Sequence, residues 1–133
     1  MRKRCNRVRR PASGLFAPSQ HTDLMLLPRM HLQLLKTSVE REYLYSVAGV
    51  FNIAVALAYQ RKNTQRQAQY ETAQTLMATL IREMRVPSAE ESNFLYQCFN
   101  QADRYIGIQT KIALIRAIEL VDKAIETGEA IAC

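Results

Sequence analysis

The chain has 133 residues, a length for one domain with a real core. Its 48% hydrophobic content is too high for full disorder, and four glycines and four prolines are few for a sandwich or barrel, so an all-helical fold is expected. The net charge of +6 divides unevenly: Arg2, Lys3, Arg4, Arg7, Arg9 and Arg10 crowd the first ten residues, and the twelve other basic residues balance the twelve acidic ones, all of which lie from Asp23 onward. The basic excess therefore belongs to a tail, which argues against a nucleic-acid-binding fold in the remainder.

Residues 1–28 read as a disordered Arg-rich arm. No apolar stretch follows the charges, as a secretory or twin-arginine signal would need. Its first 22 residues lack acids, as transit peptides do, but Pro11, Pro18 and Pro28 oppose a long amphipathic helix. Met25 and Met30 are alternative starts for a shorter chain. His21 and His31 have no third ligand at metal spacing, so neither is read as a site.

Residues 29–133 read as a small antiparallel bundle of about four helices. The first begins near Met30, where Leu32, Leu35, Val39, Tyr43, Val47, Val50, Ala54 and Leu57 step by three and four. Gln60–Gln67 contains no apolar residue. Asn63 is the expected left-handed closure and Thr64 the next cap, although Gln, Arg and Lys would also carry one helix straight through. The second helix spans about Thr64 to Arg85 on a face of Tyr70, Ala73, Met77, Leu80, Ile81 and Met84, and Pro87 stops it. Ser88-Ala89-Glu90-Glu91 is a capping box, with a serine hydroxyl for one free N–H and a glutamate reaching back. The third helix carries Phe94, Leu95, Cys98, Phe99, Ala102, Tyr105 and Ile106, and Gly107 ends it. Thr110 caps the fourth, which runs to about Thr127, with Gly128 as its stop.

Two stretches are apolar on most of their circumference, SVAGVFNIAVALAY (Ser46–Tyr59) and KIALIRAIELVDKAIE. The former is too short for a bilayer span, which needs about twenty apolar residues, and Asn52 sits near its centre. It also lacks the basic polar face of a surface-lying helix. Fully burying a Leu- or Val-sized side chain gains about 1.5–3 kcal/mol, so two such helices need cover. A homodimer is expected, with an interface drawn from Tyr45, Gly49, Phe51, Asn52, Ala56, Leu114 and Ile118. Ser46, Gly49, Asn52 or Ile53, and Ala56 would let a partner helix approach, and Asn52 either pairs across the two-fold axis or bonds within one chain.

No catalytic constellation stands out. The histidines lie at the edge of the tail, the glycines form no phosphate loop, and Glu90 and Glu91 serve the helix start. Cys5, Cys98 and Cys133 form no disulfide or zinc pattern and suit a reducing compartment, and Cys98 reads as a core residue. Phe99–Tyr105 places Asn100, Gln101, Asp103 and Arg104 on an exposed polar face. Asn52, Ala56, Tyr59 and Ala68 touch on the tetratricopeptide pattern, but the spacing fails beyond Ala68 and no second copy follows at about 34 residues. The expectation is a non-enzymatic, cytoplasmic helical regulator or adaptor, without cofactor, metal or membrane attachment. It would bind itself and another protein through an apolar helical surface. The alternative is a nucleic-acid accessory protein whose arm residues Arg2, Lys3, Arg4, Arg7, Arg9 and Arg10 contact phosphates.

Overall fold

The structure is a computed structural model that describes residues 18–127. The described residues form five helices and no strand: α1 Pro18–Leu34, α2 Arg41–Gln60, α3 Thr64–Glu83, α4 Ala89–Gly107 and α5 Lys111–Thr127. The arm residues Arg2, Lys3, Arg4, Arg7, Arg9 and Arg10 and the expected stop at Gly128 lie outside the described residues.

The Ser46–Tyr59 stretch belongs to α2, and α2 is the centre of the fold. It packs against each of the other four helices. That placement removes the need for an outer polar face. Leu44, Val47, Ala48, Phe51, Ala54, Leu57 and Ala58 are all fully buried along it. By length and composition α2 could cross a membrane, at mean hydropathy 1.3, but 56% of that stretch is buried inside the fold, as in a core helix. Phe51 meets Phe99 of α4 edge to face, with ring centroids 6.4 Å apart. Tyr70, Ala73, Met77 and Leu80 bring α3 onto the same core, and Leu95, Cys98, Phe99, Ala102 and Ile106 bring α4. Burial pushes the Cys98 thiol above its usual range, which keeps it an inert core group.

Three sequence expectations need correction. The first concerns residues 18–28, read as disordered arm: they are the larger part of α1, which continues through Pro28 to Leu34. Met25 and Leu32 of α1 are buried in the core, and Arg29 reaches Asn100 and Asp103 of α4. Those contacts offset the backbone hydrogen bond that Pro28 cannot donate. The second concerns the helix expected to run on from Met30, which is interrupted between Leu34 and Arg41. The backbone N–H groups of Thr37 and Ser38 both donate to Leu34 O and close α1 there. The third concerns the turn after α2. Lys62, not Asn63, takes the left-handed conformation, at φ 56°. Asn63 is the N-cap of α3, its side-chain oxygen accepting from the backbone N–H of Arg66 at 3.1 Å. Residues 46–85 are thus two helices.

The capping box of α4 forms as read. Ser88 Oγ accepts from Glu91 N at 3.2 Å, and Glu91 Oε1 accepts from Ser88 N at 2.9 Å. Thr110 Oγ1 accepts from Ala113 N at 3.1 Å and starts α5.

Candidate protein-binding surface

α5 packs chiefly on α2, on one side of the bundle. Leu114 and Ala117 point into the core, and Ala113, Ile118, Val121 and Ala124 are half-buried. The next apolar positions face outward: Ile112 is 62% exposed, and Ile115 and Leu120 are exposed beside it, with Ile108 just before the helix. α1 does the same. Its Met25 and Leu32 face inward, while Leu26, Leu27, Met30 and Leu34 form an exposed stripe at helical spacing.

Grooves run beside these two helices. One of about 250 Å³ lies between α1, α2 and α5, its walls made by Leu24, Pro28, Gly49, Ile53, Ile118 and Val121. A shallower one of about 490 Å³ opens between the N-terminal halves of α1 and α5 and shares Leu24 and Ile118 with the first. A third of about 260 Å³ lies across α5, between α2, α3 and α5, and shares Val121. The three grooves are therefore contiguous from α1 across α5, the first mostly apolar and the third partly polar through Asn52, Gln67, Glu71 and Gln74. Single exposed apolar side chains are ordinary on a folded protein, whereas a continuous patch with concave parts marks an interaction site.

The structure divides the expected interface residues. Gly49 and Ile118 line the first groove, and Tyr45 is half-buried on α2 with its hydroxyl 3.1 Å from the Arg41 guanidinium. Phe51 is a correction: it is fully buried in the core and offers a second chain nothing to touch. Leu114 is nearly buried, at 4% exposure, at the floor of the second groove. Asn52 and Ala56 sit at the floor of the third groove, and Asn52 Oδ1 accepts from Gln74 Nε2 at 2.7 Å within the same chain. The line of small residues on α2 is largely taken up by α5 of the same chain, with Ser46, Gly49 and Ile53 on one flank and Asn52 and Ala56 on the other.

Sequence reasoning missed α1 altogether as part of this surface. Its position is fixed by a half-buried cluster on α4. His21 Nε2 stands 2.6 Å from Asp103 Oδ1, and Arg29 pairs with the other oxygen of the same carboxylate and lies 4.8 Å from the Phe99 ring centroid. Asn100 accepts from Arg29 at 3.0 Å. Asn100 and Asp103 thus serve as the anchor of α1 and not as the rim of a docking patch. His31 is buried, stacked on Tyr43 at 5.0 Å, with Nε2 3.4 Å from Glu42. Among the described residues no three His, Cys, Asp or Glu side chains converge as metal ligands. No protein-family model matches the chain, and no curated protein or solved structure matches it either, so the surface is read on its own geometry.

Proposed function

We propose that the protein is a non-enzymatic helical binding protein that associates with a second copy of itself and holds a helix of another protein against the α1–α5 face. The observation that carries this reading is the pair of adjoining grooves beside α5, which share the apolar residues Leu24 and Ile118, together with the exposed apolar side chains that α1 and α5 each carry. One copy supplies both a ridge and a groove, so two copies related by a two-fold axis can each fill the other. The same groove suits an amphipathic helix of a different protein, which would be sequestered by burying its apolar face. A reducing compartment such as the cytoplasm fits the free, buried Cys98.

Molar mass in solution tests the self-association. The full chain is expected at twice its 15.2 kDa mass. The double variant Ile112→Asp/Ile115→Asp should fall to the monomer mass with unchanged helicity, because both side chains are already exposed. A monomer at every concentration for the unmodified chain would remove the dimer. A photo-crosslinking residue at Ile118 should give a discrete adduct with a second protein, and one at Gln97 on the exposed side of α4 should give none.

The second reading rests on the six basic residues of the arm, Arg2, Lys3, Arg4, Arg7, Arg9 and Arg10. They would bind nucleic-acid phosphates with an affinity that falls steeply as salt rises. Neutralising them should abolish both the binding and its salt dependence, and an absence of binding at low salt would dismiss this reading.

A further inference from the structure

Between the N-terminal half of α3 and the C-terminal half of α4 lies a polar pocket of about 330 Å³. Its walls are Asn63, Gln65, Arg66, Gln69, Gln101 and Arg104. No carboxylate is among them, so two guanidinium charges stand in a pocket with nothing negative to meet. The remaining four side chains are amides, each able to donate and accept.

The two arginines are prepared differently. Arg66 is held. Its Nη1 donates to the Tyr70 hydroxyl at 3.0 Å, and its guanidinium lies 4.6 Å from the Tyr105 ring centroid. Burial pushes both phenols above their usual range, so neither supplies an anion to Arg66. The Tyr105 hydroxyl is buried without a hydrogen-bond partner, which marks this end of the bundle as polar but incompletely satisfied. Arg104 is exposed and has no hydrogen bond or ion pair with any described residue. Asp103, its neighbour in the chain, faces away and is spent on His21 and Arg29. Gln69 donates to Gln101 across the pocket and ties α3 to α4 there. A planar guanidinium fixed by its neighbours is suited to a phosphate because less freedom is lost when the ligand arrives.

We propose that this pocket binds a small phosphorylated molecule, with the phosphate between Arg66 and Arg104 and a polar body against the amides of Asn63, Gln65, Gln69 and Gln101. The volume suits a ligand of nucleotide or sugar-phosphate size, larger than a bare phosphate ion. The site shares no residue with the α1–α5 face, so it stands or falls apart from the binding function proposed above.

Nuclear magnetic resonance on the ¹⁵N-labelled full chain tests it, at constant ionic strength, with inorganic phosphate, adenosine monophosphate, a hexose phosphate and adenosine as probes. Saturable shifts at the Nε–H groups of Arg66 and Arg104 are expected with at least one of the two esters. That ester should bind more tightly than inorganic phosphate, and the tighter of the two identifies the body. The residue-level readout separates this pocket from the basic arm. Arg104→Gln should weaken binding about tenfold or more, and it should leave the fold intact, since Arg104 makes no internal bond. Arg116→Gln on α5 should bind like the parent. The proposal is overturned if no phosphate gives a saturable shift at these arginines, if adenosine gives the same shifts, if Arg104→Gln binds as tightly as the parent, or if inorganic phosphate matches both esters.

Discussion

A Cβ built on Gly107 would stand 2.9 Å from Cε1 of His21, and His21 is itself held by Asp103. Inside a helix, alanine is ordinarily more favourable than glycine by about 1 kcal/mol. Here the clash should reverse the sign. Gly107→Ala is expected to destabilise the protein in urea unfolding, and the same substitution in a His21→Ala background is expected to stabilise it. Equal effects in both backgrounds would show that the close approach does not matter. Glu91 gives a second test. Arg85, bonded to both of its oxygens, and the Ser88 backbone N–H hold the Glu91 carboxyl down at about 2. A carboxyl lowered on folding stabilises above its ordinary value, and that stabilisation is lost as pH falls from about 4.5 through about 2. Glu91→Gln should therefore lose on the order of 1 kcal/mol or less at neutral pH, since solvent screens the pair, and the difference from the parent should close as acid is added. This cap was legible in the sequence because all its atoms come from four consecutive residues. Asn63 was misread by one position because Lys62 and Asn63 both suit such a turn, and the choice depends on how α3 departs.

At the scale of elements, helix ends account for most of the differences. α3 was expected to run to Arg85 and stop at Pro87. It ends at Glu83, and Met84 follows in the left-handed conformation at φ 48° and ψ 57°. That conformation is unfavourable for a side chain with a Cβ, by about 1–2 kcal/mol. Met84→Gly should raise stability, by about 1 kcal/mol or less after the entropy that glycine adds to the unfolded chain, read as a higher urea midpoint with an unchanged slope. The gap between α1 and α2 carries no glycine or proline, and Leu35, Val39 and Tyr43 keep helical spacing across it, so periodicity gave no sign of the break. Pro28 misled in the other direction. A proline inside a helix is unfavourable locally, and only the contacts of α1 with α4 and the core show that the helix continues through it.

At the scale of the whole molecule, the position of α2 decides which apolar residues are core and which are surface. Phe51, expected at an interface, is central. Phe51→Ala should destabilise the protein by about 3–5 kcal/mol, and this should appear in unfolding and not as a selective loss of self-association. A dissociated but fully stable Phe51→Ala protein would contradict its burial. α5 is different. It borders one side of α2, and its Ile112, Ile115 and Leu120 stay exposed. The argument that one chain cannot cover two mostly apolar helices therefore holds for α5 and fails for α2. α2 lies between four neighbours, one of which, α1, comes in larger part from residues assigned to the tail.

The sequence by itself determined the helical class, the apolar faces of α3 and α4, the start of α4 and the start of α5. Each of these depends on residues within a turn or two of one another, and local spacing records them directly. Tertiary structure alone decided that α1 joins the fold, that α2 is enclosed, that the small residues of α2 receive α5, and that Arg66 and Arg104 share one pocket. These outcomes depend on groups far apart in the chain. Asp103 must meet Arg29 and His21 before α1 can dock, and α3 must lie along α4 before two arginines can face one pocket. No periodicity within a single helix records those distances.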